Sequence, residues 1–219
     1  VTKQFTLGGN ANAYGASTNA GAGWAYKFDN GFAVSSNFVS SKTDLLTNQG
    51  ATSWANQVGY TNNQWSASVI VNSKYNSWHD EYYHSTGDAP ASDGENFTAI
   101  GLRTWWRPLE TGTLVPSVSL GYDTTGYGKA PDSSNSSNAW FTGLQWQDAF
   151  QADDRVGVAF GQPTVNEAET IDPFAFEMYY SFKVNDSVTM TPAYFQNTNR
   201  NQTAGDDVSG VIWETTLKF

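Results

Sequence analysis

The chain contains no cysteine, so neither a disulfide framework nor a thiolate metal site is open to it. No stretch approaches the roughly 20 continuous apolar residues of a membrane-spanning helix, which excludes an α-helical membrane protein. That absence says nothing of a β-barrel, whose alternating strands are averaged away by hydropathy windows, so a mean hydropathy of -0.48 leaves a membrane location open. Positive charge is scarce: 11 Lys and Arg face 21 Asp and Glu, a formal net charge of -10. Nucleic-acid binding needs basic patches, so no nucleic-acid partner is expected, whereas an acidic surface enriches cations near it. Helical periodicity is almost missing, because Gly, Asn, Ser and Thr interrupt every candidate. A phosphate-binding glycine loop and a Gly-x-Ser-x-Gly elbow are absent too.

What the chain does have is aromatic residues, 15% of the total, within a hydrophobic share of only 39%. That mixture suits a thin apolar band better than a thick core. The final residues show how the band is built. Val211, Trp213, Thr215, Leu217 and Phe219 fall on one face of an extended chain, and Ile212, Glu214, Thr216 and Lys218 on the other. The same alternation recurs. Trp24, Tyr26 and Phe28 precede Asp29-Asn30-Gly31, a tight-turn signal because Asn and Gly tolerate positive φ, and Phe32, Val34 and Phe38 follow it. Trp54, Val58 and Tyr60 lead to a turn at 61–63, then Trp65, Val69 and Val71. Ile100, Leu102 and Trp106 lead through 108–113 to Val118, Leu120 and Tyr122. Trp140, Leu144 and Trp146 lead through 151–154 to Val156, Val158 and Phe160. Phe174, Phe176, Met178, Tyr180 and Phe182 lead through 185–187 to Val188, Met190 and Tyr194.

Short connections therefore alternate with longer ones near 41–50, 74–94, 124–137, 163–172 and 199–209. Short turns at one end and long loops at the other are the arrangement of a transmembrane barrel, and strands of about ten residues can cross a bilayer when tilted. The expected fold is all-β: an antiparallel transmembrane β-barrel with short periplasmic turns and long extracellular loops, one domain over 1–219. Counting back from Phe219 gives eleven strands, and residues 3–8 supply a twelfth, an even number that would put both termini on the periplasmic side. Val1 begins no signal peptide, so the chain is expected to be mature or a fragment.

Two runs, Gly143-Leu144-Gln145-Trp146-Gln147-Asp148-Ala149-Phe150 and Val158-Ala159-Phe160-Gly161-Gln162-Pro163, resemble the C-terminal barrel of cyanobacterial outer-membrane porins, a family related to carbohydrate-selective porins. Supporting segments are Trp24-Ala25-Tyr26-Lys27-Phe28 and Val188-Thr189-Met190-Thr191-Pro192-Ala193. The resemblance implies a passive channel in the outer membrane of a Gram-negative-type bacterium, carrying inorganic ions and small hydrophilic solutes and assembled as a homotrimer. It implies no enzyme activity and no cofactor. Family barrels are expected to have sixteen strands and to follow a signal peptide, a wall-binding S-layer-homology domain and a helical linker. This chain then reads as the C-terminal part of a longer protein, touching peptidoglycan only through a domain outside it.

If the aromatic faces meet lipid, the opposite residues line the lumen. Most are small or neutral, such as Ser35, Asn37, Ser66, Ser68, Asn72, Gln145 and Thr191. The charged pore-lining candidates by parity are Lys27, Arg103, Arg155, Glu177, Lys183, Glu214 and Lys218. An Arg on the lipid face would cost roughly 2–4 kcal/mol at the midplane, so Arg103 is expected inward, either tuning ion selectivity or salt-bridged to a lumen acid such as Glu177 or Glu214. Acidic residues crowd the long loops (Asp44, Asp80, Asp93, Glu167, Asp206 and Asp207 among them); together they could gather cations, while singly each reads as a solvated turn residue. His79-Asp80-Glu81-Tyr82-Tyr83-His84 contains metal-ligand types, but its spacing matches no strong motif and no metal site is assigned. The competing class is a secreted soluble β-sandwich that binds or hydrolyses carbohydrate through exposed tryptophans, with Glu177 and Glu214 as its carboxylate pair.

Overall fold

The computed structural model describes residues 20–40, 50–76, 96–127, 136–167 and 169–218. They form β1 (Ala20–Lys27), β2 (Phe32–Ser40), β3 (Thr52–Thr61), β4 (Trp65–Tyr75), β5 (Asn96–Trp106), β6 (Ser117–Tyr127), β7 (Ser136–Gln147), β8 (Arg155–Asn166), β9 (Phe174–Asn185), β10 (Val188–Thr198) and β11 (Val208–Leu217). All eleven join one sheet in sequence order, each paired antiparallel with its chain neighbours. The only helical element among the described residues is a 3-10 turn at Arg200–Gln202.

The twelfth strand expected at 3–8 lies outside the described residues, as does Phe219. Among the described residues β1 and β11 each have one paired edge and are not joined to one another, so the sheet is not closed into a barrel there.

The tight turns form as their residues dictate. Gly31 takes φ 93, the left-handed region that costs glycine little, and its amide donates to the Phe28 carbonyl at 3.2 Å. The Asn30 side chain accepts the Phe32 amide, the Asn62 side chain accepts the amides of Gln64 and Trp65, and the Asn185 side chain accepts the Ser187 amide. These side-chain turns satisfy backbone donors that the ladder cannot reach.

Strands run further into the longer connections than alternation alone suggests. The apolar signal of β6 ends at Tyr122, yet Thr124, Thr125 and Gly126 stay paired with β5 and β7. β8 continues to Asn166, past Pro163. Its pairing with β7 slips by one residue between Gln162 and Val165, and a bulge is where a strand can carry a residue without an N–H. Conversely, the connection expected at 108–113 occupies 107–116.

Candidate functional site

Register settles which side chains share a face. Trp24, Ser36, Asn56, Val71, Ile100 and Thr124 follow one another across β1 to β6 on one side. Arg103, Gly121, Phe141, Gly161 and Ala175 follow across β5 to β9 on the other. The first side carries the large apolar residues, and they are exposed: Trp24 is 59% accessible, Trp54 52% and Trp213 61%. The second side holds the buried polar residues, Ser53, Asn72, Lys74, Asp123, Thr125, Ser137, Glu177 and Thr191, beside a few rings such as Phe141 and Tyr179, while Lys27, Gln57 and Glu214 on it are exposed. This inverts the usual order of a water-soluble domain, where apolar side chains are the hidden ones.

The apolar side is layered. At the end carrying the tight turns, aromatic rings form a row: Tyr26 lies edge-on to Phe28, Phe32 to Tyr60, and Tyr60 is 4.7 Å from Trp65. Trp106 stands beside Trp65 in register, and Phe150, Tyr180 and Phe182 continue the row over β9. Nearer the opposite end stand Trp54 and Trp140, whose indole N–H groups donate to Ser36 Oγ and Gln162 Oε1. Between them lie aliphatic residues: Val58, Val69 and Leu102 follow one another in register across β3 to β5, Leu144 and Val158 face each other on β7 and β8, and Leu120 lies diagonal to Leu102 and to Leu144. Rings, several with a polar handle, thus stand at both ends of an aliphatic band.

The polar side holds the charged residues singled out from sequence, but not in the partnerships expected. Arg103 pairs with Asp123, Nη2 to Oδ2 at 2.5 Å, and not with Glu177 or Glu214. Its other nitrogen donates to the carbonyls of Leu102 at 2.7 Å and Tyr122 at 3.0 Å, and the guanidinium lies 6.0 Å from the Phe141 ring centre. Gly121 sits directly opposite Arg103, which makes Asp123 its diagonal neighbour, a pairing distance long side chains bridge easily. Parity alone could have named Asp123, since it shares its face with Ser117 and Ser119. Lys183 pairs with Asp153 at 2.6 Å near the turn end of β9. Glu177 is buried beside Phe195, while Glu214 is exposed, two residues from Thr216. Lys27, Arg155 and Lys218 sit exposed at or just beyond the turn ends of β1, β8 and β11, without an ion pair among the described residues. The structure therefore gathers Arg103 and Asp123 on one side of the sheet and spreads the other candidates along it.

Aromatic side chains on this side lie against glycine. A Cβ added to Gly121 would meet the Phe141 ring at 2.1 Å, and one on Gly157 would meet Tyr179 at 2.2 Å. Each ring is the direct cross-strand partner of its glycine. The Tyr179 hydroxyl is further held by Gln145 Nε2 at 2.7 Å. Rings laid flat over glycine keep their bulk off the centre of the face.

The β7–β8 turn is organised by Asp154, which is fully buried. Its carboxylate accepts the amides of Ala149 at 2.6 Å, Phe150 at 3.1 Å and Gln151 at 3.0 Å, and the Tyr180 hydroxyl at 2.9 Å. Burial pushes this carboxyl up, but the Tyr180 hydroxyl and the three amides together outweigh it and hold the group below its ordinary value. Asp153 is lowered too, first by the hydrogen bond from Lys183 and then by its charge.

Several loop acids are engaged locally. Glu167 accepts from Ser136 and Asn138, Asp206 pairs with Arg200 at 2.7 Å, and Asp207 accepts the Asn199 amide. The segment His79–His84 and the acids at 44, 80, 81, 88, 93, 95 and 132 lie outside the described residues. Among the described residues no group of three metal-ligand side chains comes together, and no helix is long and apolar enough to cross a membrane.

A carboxylate pair at Glu177 and Glu214 does not form. Glu177 is level with Gly210 through Phe195, four residues from Glu214 along β11. At about 3.3 Å per residue and 4.8 Å per strand the two backbones are roughly 16 Å apart. Glycosidase carboxyls stand about 5–9.5 Å apart. The chain matches no protein-family model, no curated protein and no solved structure.

Proposed function

We propose that this protein is an outer-membrane porin, a passive channel for inorganic ions and small hydrophilic solutes, of the kind the cyanobacterial porins represent. The observation that carries the reading is the inversion of the sheet: exposed Trp, Tyr, Phe and aliphatic side chains on one face, buried Ser, Asn, Thr and paired charges on the other. Lipid is the solvent in which the first face is stable, and a water-filled lumen is the environment the second requires. Closure of the sheet into a barrel, through strands beyond those described, belongs to this proposal. So do the trimer and the placement of the short turns on the periplasmic side. In this reading Lys27, Arg103, Arg155, Glu177, Lys183, Glu214 and Lys218 face the lumen, and Arg103 acts there as half of an ion pair with Asp123. Transport needs no catalytic residue and no cofactor, since the solute only diffuses.

The β-sandwich alternative requires a second apolar layer over the tryptophan face. The described strands form one sheet, and that face stays exposed. Single-channel recording in a planar bilayer tests the porin reading. The purified chain in detergent is expected to give stepwise conductance and heat-modifiable migration on gels. A chain that is monodisperse in plain buffer and silent in the bilayer would dismiss it.

A further inference from the structure

Four of the five connections at the tight-turn end are compact: residues 28–31, 62–64, 148–154 and 186–187. The fifth, residues 107–116 between β5 and β6, is longer, and it is tied down at both ends by groups from other hairpins. The Arg107 amide donates to the Gln64 carbonyl at 2.8 Å and its Nε to the Asn63 carbonyl at 2.6 Å, which fastens the start to the β3–β4 turn. The Gly112 amide donates to the Gln147 carbonyl at 2.9 Å, and Trp146 Nε1 donates to the Leu114 carbonyl at 2.9 Å, which fastens the far part to the end of β7. Gly112 has φ 71, a bend suited to glycine. Leu109 reaches a second hollow shared with Asp29 and Thr61. The segment thus forms a strap from the first two turns to β7.

The strap runs along the rim of the sheet: its Leu114 carbonyl meets Trp146 of the apolar side, while Arg107 to Gly112 overhang the polar face. The cavity beneath it is lined by Ser117, Gln145 and Gln147 of that face, and by Arg107 and Glu110 of the strap. The Arg107 guanidinium is held 5.4 Å over the ring of Trp105, which shares the polar face with Arg103. No ion pair joins Arg107 to Glu110. They are opposite charges on one narrow ledge, one of them fixed by a ring and a backbone carbonyl. A fixed charge acts on a passing ion only within about 10 Å at 0.1 M salt, so charges on a ledge above the passage outweigh charges on its distant rim.

We infer that residues 107–116 form the constriction at the turn end of the channel, with Arg107 and Glu110 as its opposed selectivity charges. The inference rests on the porin reading. Its test is the reversal potential of single channels under a KCl gradient, for the unaltered chain and for Arg107→Gln, Glu110→Gln, the double variant and Arg107→Lys. Arg107→Gln is expected to raise the K⁺ over Cl⁻ permeability ratio severalfold, and Glu110→Gln to lower it by a similar factor. The double variant should return near the starting ratio and Arg107→Lys should keep it. Shifts of opposite sign are not produced by a merely structural disturbance of the strap, which would move both single variants alike. If the unaltered chain conducts and the two variants leave the ratio unmoved, or move it in one direction, the constriction lies elsewhere and the porin reading survives. An unaltered chain that never conducts removes the channel and its constriction together.

Discussion

Asp154 is a buried carboxylate whose hydrogen bonds are all to one turn and one neighbouring tyrosine. Because its folded pKa is lowered, its stabilising effect is fully present above the unfolded value, near 3.8, and is lost as pH falls through the lower folded value. Acidification below about pH 4 should therefore loosen the 148–154 turn before the sheet. Amide exchange in detergent micelles is expected to accelerate first at Ala149, Phe150 and Gln151, and Asp154→Asn should show the same acceleration already at pH 7. Unchanged exchange at these amides in the variant would mean that the carboxylate is not what holds the turn. A second residue-level expectation concerns Arg103. Removing Asp123 leaves a largely covered guanidinium without its acid, which costs about 1–3 kcal/mol. Removing both should cost less than removing either, and a thermal-unfolding double-mutant cycle reads that coupling directly. Within the porin reading, Arg103→Ala should also shift selectivity toward cations, because it uncovers Asp123.

The hairpins were largely legible in sequence, for a physical reason. A period of two assigns every residue of a strand to a face, and Asn30-Gly31 or Asn185-Asp186 marks where the chain must reverse. What could not be read was pairing across hairpins. Alternation puts Arg103 on the face opposite Leu102, yet its partner Asp123 depends on register between β5 and β6, and alternation within one strand carries no register. The strap spans 107–116 and not 108–113 for a related reason: Pro108 and Gly112 announce a turn, but not that the chain will be fastened to β7. The strand ends at Thr124-Thr125-Gly126 and Val165-Asn166 lack apolar alternation and owe their conformation to their paired neighbours, so no strand signal marks them in sequence. The glycine–ring pairs were invisible for the same cause, and they carry a prediction. Gly157→Ala should push the Tyr179 ring off the sheet and break its bond from Gln145, an overpacking cost of about 1–3 kcal/mol. In a Tyr179→Ala background the same change should cost far less. Equal losses of melting temperature in both backgrounds would show that ring and glycine do not pack as a unit.

At the scale of the whole molecule the question is which solvent each face meets, and adjacent residues can be made to answer it. Gln57 and Val58 are neighbours in β3. Gln57 pairs with Ile70 on the polar side, and Val58 pairs with Val34 and Val69 in the middle of the aliphatic band, where it is 42% exposed. In water an exposed valine is replaced by arginine at little cost, since surface substitutions fall within about 0.5 kcal/mol. In a bilayer the same arginine faces hydrocarbon and costs roughly 2–4 kcal/mol near the midplane. Val58→Arg is therefore expected to lower the folding free energy in lipid vesicles by that amount, about 30- to 700-fold in the folding equilibrium at 1.4 kcal/mol per tenfold, and to lower the unfolding midpoint with it. Gln57→Arg, one residue away, should fold almost as the unaltered chain does, because a lumen admits a hydrated charge. The difference between the two is informative because the same residue enters the same strand one position apart, and strand propensity accounts for less than about 1 kcal/mol of it. A sheet standing in water with its tryptophan face free would tolerate both substitutions. A sheet whose tryptophan face packs on another protein layer would reject Val58→Arg in buffer as strongly as in lipid. Only a lipid-facing band makes the penalty appear with the vesicles and depend on depth, fading when the arginine is moved along β3 from Val58 to Tyr60 in the aromatic row.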